Sequence, residues 1–146
     1  MKSYMSRLYS DSELPSEDNI NELSVLILAK NEEATVGIEV KKARAVFPKA
    51  EILVIDNGST DNTRQEAIDA GASACIPCET PGKGAAMLCG VRAASGYKIL
   101  FHDADGEYEI EDTIPLVAGM NIGTMIIGRR SPESMTWSSR KANGFI

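Results

Sequence analysis

Asp103 and Asp105 stand one residue apart where the apolar run "ILFHD" gives way to a cluster of acids. Side chains at i and i+2 of an extended segment project the same way, so these carboxylates are expected to project together and to repel. A cation between them, a proton on one, or full solvation of both would relieve that repulsion. Polar residues gather at comparable places elsewhere. Asn31, Glu32 and Glu33 follow one apolar run; Asp56, Asn57, Gly58 and Ser59 follow a second. Lys83 lies between two glycines, Glu107 follows the aspartates, and Arg129 and Arg130 come after a last apolar run.

The elements that must carry these residues alternate. "LSVLILA" (23–29), "EILVID" (51–56), "ASACIP", "YKILFHD" and "GTMIIG" (123–128) read as five strands, as continuous apolar runs rather than alternations. Between them Val36, Val40, Ala43 and Phe47 recur at helical spacing, up to Pro48. "TRQEAIDAG" forms a second helix, capped by Thr60 or Asp61 and stopped at Gly71. "AAMLCGVRAA" forms a third, and residues 111–119 a fourth. This is the pattern of an α/β protein: a three-layer α/β/α sandwich around a mostly parallel sheet. Right-handed crossovers deliver every strand's C-terminal end to one edge, where ligands of open α/β sheets bind. The polar residues above all fall at that edge.

The chain has 146 residues, enough for one domain, with 43% hydrophobic and 25% charged residues. Its net charge of −6 argues against a nucleic-acid backbone as partner. No apolar run approaches a membrane span. Residues 1–22 are polar and expected to be a flexible lead-in, without the apolar centre of a signal peptide. Cys75 and Cys78 form a C-x-x-C, yet only Cys89 and His102 remain to complete a zinc site. Buried or half-buried thiols in a reducing cytoplasm are the expectation.

Two nucleotide-binding fingerprints fail. The first turn, "AKNEEA", has no glycine where a dinucleotide-binding domain needs G-x-G-x-x-G. "GKGAAM" places its lysine one step too early for a P-loop and lacks the Ser or Thr. "LFHDADGE" also matches the D-x-D-G of haloacid-dehalogenase-like phosphatases, but that family carries the motif on its first strand.

The order of motifs resembles the inverting family 2 glycosyltransferases of GT-A fold, and is most similar to polyprenyl-phosphate and dolichol-phosphate sugar transferases. The resemblance runs from about Leu23 to the end. The family's Pro-x-x-Asn-Glu appears as "LAKNE", with Leu28 in place of proline. Its "DDGSxD" turn appears as "DNGSTD", with Asn57 in place of the second acid. "GKGAAMLCGVRAASGYKILFHDAD" is similar to the helix leading into the D-x-D, and "GRR" to the later "GSR", with Arg130 at the arginine.

The resemblance implies Mg²⁺ or Mn²⁺ held by Asp103 and Asp105, with Glu107 as a third ligand, against the pyrophosphate of a nucleotide-diphosphate sugar. It implies a base and ribose pocket lined by Ala29, Asn31, Glu32, Ile55, Asp56 and Asn57, with Ala104 also binding the nucleotide sugar and Lys83 holding phosphate or lying exposed. The acceptor expected is a polyprenyl phosphate, held by Arg129, Arg130, Arg140 and Lys141, with Trp137 as a lipid or sugar platform. Arg130 joins Asp103 and Asp105 in catalysis. Family members continue well beyond Ile146, so a C-terminally truncated fold is expected: a donor half with an incomplete acceptor part over 23–146. A homo-oligomer or a completing partner chain would then be needed. The implied location is cytoplasmic, peripheral at the membrane's cytoplasmic face for a lipid acceptor. A non-catalytic nucleotide-binding or assembly module of the same fold is the alternative.

Overall fold

Leu23–Ala29 (β1) is buried along its whole length, as a strand must be when both sheet faces are covered. A computed structural model describes residues 22–121 and 123–128. The chain divides after Glu111 into two compact units.

The first unit holds β1, α1 (Val36–Val46), β2 (Glu51–Asp56), α2 (Thr63–Asp69), β3 (Ala74–Pro77), α3 (Lys83–Ala93) and β4 (Lys98–Asp103). The four strands are parallel, in the order β3-β2-β1-β4. From β1 to β3 the chain steps one way across the sheet; α3 then carries it back past β2 and β1 to β4. Right-handed crossovers therefore put α1 and α2 on one face and α3 on the other. Leu26, Leu28, Leu53 and Ile55 pack with Cys78 and Ala86 on the α3 face. The alternate residues Val25, Ile27, Ile52 and Val54 turn the other way, and all are buried.

Local signals end the elements where they were expected to. α2 stops in a Schellman motif, with Gly71 at φ +94, its N–H donating to Ile68 and that of Ala72 to Ala67. At the other end the N-cap is Asn62, not Thr60 or Asp61 as expected, and it makes no side-chain cap bond; Asp61, one residue earlier, accepts the Thr63 N–H at 3.1 Å. Gly90 lets α3 approach the sheet, since a Cβ there would lie 2.9 Å from Leu26 and 3.1 Å from Ile55. All three cysteines are free thiols, with Cys78 buried.

The expected fifth strand is not formed. In the second unit α4 (Ile114–Gly119) follows a 3₁₀ turn at Ile110–Thr113, and residues 124–128 join no ladder. Ile126 turns towards this helix instead, 3.1 Å from where a Cβ on Gly119 would sit. Met125 and Ile127 are 83% and 75% exposed. An apolar run becomes a strand only with backbone partners, and here Ile126 packs on a helix. The polar lead-in up to residue 21 lies outside the described residues, as do Arg129, Arg130, Trp137, Arg140 and Lys141.

Candidate functional site

The strand order reverses between β1 and β4, and in open α/β sheets that is where a crevice opens beyond the carboxyl ends. A cleft of about 270 Å³ lies there. Leu28, Ala29 and Lys30 line it from β1, Asn57 from β2, Gly82, Lys83 and Ala86 from α3 and the turn before it, and Asp103 from β4. The structure thus brings together Ala29, Asn57, Lys83 and Asp103.

Register explains how Asp103 reaches the cleft. It pairs with Leu28, which faces α3, so its carboxylate points to that side. Lys83, the first residue of α3, meets it with Nζ 2.7 Å from Oδ2. The ion pair spans the cleft. It is solvent-exposed on the lysine side, so its contribution to stability is small. The N–H groups of the first turn of α3 start at the same place, and a helix N-terminus favours anions.

Asn57 ties the α3 approach to the sheet. Its side-chain amide donates to the carbonyls of Thr80 (2.7 Å) and Cys78 (3.3 Å), while its Oδ1 accepts from Gly82 N at 2.9 Å. A carboxylate could accept the last bond but would face the other two carbonyls without a proton to offer. The asparagine in "DNGSTD" is therefore explained by the loop it holds.

The remaining predicted residues lie elsewhere along the rim. Asn31, at φ +56, joins the two neighbouring loops: its N–H donates to Ser59 Oγ at 2.9 Å and its Oδ1 accepts from Thr60 N at 2.8 Å. Asparagine tolerates that left-handed backbone better than most residues. Glu32 N donates to Thr63 Oγ1 at 2.8 Å, and the Glu32 carboxylate accepts from Thr35 Oγ1. Ile55 is fully buried in the core and Ala104 is buried behind the strand end. The Asp56 side chain is fully buried; it accepts from Ser59 N at 2.9 Å and pairs with Arg64 Nε. Burial pushes its pKa up, but the hydrogen bonds from Ser59 and Arg64 outweigh burial and hold it below the usual value. None of these five side chains lines the cleft.

The shared projection of Asp103 and Asp105 also needs correcting. The strand ends at Asp103, and residues 104 and 105 form a turn that Gly106 completes at φ +72. Asp105 is exposed and its Oδ1 accepts from Glu107 N at 3.0 Å, as short acidic side chains do in turns. Among the described residues no three acidic, histidine or cysteine side chains converge as a preformed metal cluster. Asp103, Asp105 and Glu107 therefore follow one another along the rim without forming a closed three-ligand cage.

The sequence motifs and this placement agree with what similar proteins show. A family model described as glycosyl transferase family 2 matches residues 24–144. The chain belongs to that family.

Among similar proteins, the uncharacterized protein MJ1222 of Methanocaldococcus jannaschii is 30% identical over 88% of this chain and 56% of its own length. The glycosyltransferase AglJ of Haloferax volcanii is 37% identical over 66% of this chain and 34% of its own. The chain thus spans about half of one curated relative and a third of the other. Glucosyl-3-phosphoglycerate synthase from Mycobacterium tuberculosis, crystallised with Mn²⁺, UDP-glucose and phosphoglyceric acid, superposes with a TM-score of 0.58 at 29% identity. That match covers 68% of this chain and 40% of the synthase. The fold is GT-A. Family membership sets aside the phosphatase reading.

Sequence reasoning gave no cleft role to Lys30, Gly82 and Ala86, and it weighed His102 only as a zinc ligand, not as the buried partner of Glu39 on the α1 face of the sheet. Gly82 and Ala86 flank a lysine already singled out, so the glycine-rich turn was the available signal. The buried pair announced itself only as a charged residue among the apolar positions of α1.

Proposed function

We propose that this chain carries the donor site of a glycosyltransferase that takes a sugar from a nucleotide-diphosphate sugar. The observation that carries this reading is the Lys83–Asp103 pair across a cleft at the carboxyl ends of β1 and β4. A diphosphate seated there would meet the Lys83 ammonium and the first N–H groups of α3, both suited to anions. Lys83 is exposed on a long stem, so it can pass from the Asp103 carboxylate to a phosphate oxygen without moving the backbone. Asn57 keeps the 78–82 turn, and with it the start of α3, in place while this happens.

The donor set fits a hard divalent cation. Asp103 and Asp105 offer oxygen alone, and no cysteine or histidine joins them in a cluster among the described residues. With few protein ligands, such a cation keeps water and phosphate oxygens in its shell. When bound, Mg²⁺ or Mn²⁺ would offset the charge that builds on the departing nucleoside diphosphate. The UDP-glucose and Mn²⁺ in the mycobacterial synthase support the same ligands for this chain. Glu107 is proposed as an outer ligand, reached through the turn it shares with Asp105.

The acceptor is proposed to be a phosphorylated molecule, with polyprenyl phosphate first and phosphoglycerate, named for the mycobacterial relative, second. A phosphate nucleophile is already anionic and needs charge complementarity more than a base, which Arg129, Arg130 and Arg140 are proposed to supply. Among the described residues no helix is long and apolar enough to cross a membrane. A cytoplasmic location, close to the membrane for a lipid acceptor, follows from this reading.

The test is transfer of radiolabelled sugar from UDP- and GDP-linked donors to polyprenyl phosphate and to 3-phosphoglycerate, with Mn²⁺. The expected result is binding of at least one donor, with transfer only to an acceptor that is held in line with it. Positioning of the acceptor can account for about 7–11 kcal/mol of a barrier. Release of inorganic phosphate from a generic ester, with no nucleotide-sugar binding, would contradict the proposal.

A further inference from the structure

We propose that Glu39 and His102, with Lys42, are positioning residues that hold the Asp103–Asp105 turn in its metal-binding arrangement. This inference rests on the donor-site reading above. Glu39 lies on the face of α1 that buries Val36, Val40 and Ala43, and is itself only 2% exposed. His102 pairs in register with Ile27, so its ring faces α1 while the next residue, Asp103, faces α3. The two buried side chains meet, with Glu39 Oε2 2.9 Å from His102 Nε2. A carboxylate can only accept, so the bond places the proton on Nε2 and fixes the ring.

The other carboxylate oxygen reaches outward. Glu39 Oε1 lies 3.3 Å from Lys42 Nζ, and the same ammonium is 2.9 Å from Glu109 Oε2. Glu39 Oε1 also lies beneath the turn, 3.8 Å from where a Cβ on Gly106 would sit. One carboxylate on α1 therefore fastens the acidic turn at both ends, through His102 before it and through Lys42 and Glu109 after it. Within the turn itself, Asp105 Oδ1 accepts from Glu107 N.

Replacing both partners of a buried polar pair by apolar groups of similar shape is often close to neutral. The pair's value here lies in direction. Two leucines would fill the same space between α1 and β4 without fixing where the following turn points, and metal ligands depend on residues that orient them.

The experiment compares the parent chain with Glu39→Leu/His102→Leu and with Lys42→Met. Each is titrated with UDP and GDP, with and without Mn²⁺, and melted in the absence of ligand. The double variant is expected to melt no lower than the parent and to bind nucleotide without metal as the parent does. Its Mn²⁺-dependent nucleotide affinity should fall about tenfold, and that of Lys42→Met about threefold. A folded double variant with parental Mn²⁺-dependent affinity would overturn the inference. Should the double variant fail to fold, Lys42→Met decides, because that lysine is partly exposed and its loss leaves the buried pair in place; unchanged affinity there would overturn it. A parent chain that binds no nucleotide with Mn²⁺ would instead defeat the donor-site reading, and this inference with it.

Discussion

Asp105→Ala should weaken Mn²⁺-dependent nucleotide binding by about 100-fold or more, the scale on which losing a carboxylate ligand exceeds the loss of its supporting residues. Its carboxylate is exposed on the turn after β4, where it accepts from the Glu107 N–H. Removing it should leave the melting temperature almost unchanged, because exposed positions away from special features contribute little to stability. Affinity without metal should also stay at the parental level. The three readings together separate a ligand from a structural residue. Parental Mn²⁺-dependent affinity in a folded variant would remove Asp105 from the site.

Asp56→Ala should act in the opposite manner, costing stability first. The carboxylate is fully buried between the Ser59 N–H and the Arg64 guanidinium, and its loss leaves the turn after β2 without an acceptor. Orphaning such a donor costs about 1–3 kcal/mol; the Arg64 contribution is discounted because that side chain is largely exposed, so about 2–3 kcal/mol is expected in all. The dependence on pH has a definite sign. Burial raises the pKa of Asp56, the hydrogen bonds outweigh it, and the folded value ends below the unfolded one. The stabilisation is therefore complete above the unfolded value, about 3.9, and is lost as pH falls through the lower folded value. Urea melts at pH 7 and in steps below pH 4 should show the gap between parent and Asp56→Ala narrowing in acid. A gap that stays constant would show that the carboxylate's charge is not what the turn uses.

Much of this architecture was legible because continuous apolar runs have few uses. Runs such as "LSVLILA" and "EILVID", flanked by helical patterns, lead to a parallel sheet, and handedness then puts Asn57, Lys83 and Asp103 on one edge. "GTMIIG" carried the same kind of signal and misled, because a run does not say whether a neighbouring strand or a helix will cover it. The site was legible at the level of segments rather than atoms. Asp56, Asn57 and Asn31 sit side by side in motif and space, yet whether an amide faces a ligand or a neighbouring carbonyl is a matter of side-chain geometry. The same limit hid the meeting of Glu39 and His102, which are 63 residues apart and touch only in the folded chain.

The central claim is that the cleft between β1 and β4 binds a nucleoside diphosphate together with a divalent cation. Titration calorimetry of the unaltered chain with UDP and with GDP, each with and without Mn²⁺, addresses it most directly. One of the two nucleotides is predicted to bind at least about tenfold more tightly with Mn²⁺ than without, a difference of about 1.4 kcal/mol. Equal affinity in the two conditions, or no binding of either nucleotide, would contradict it.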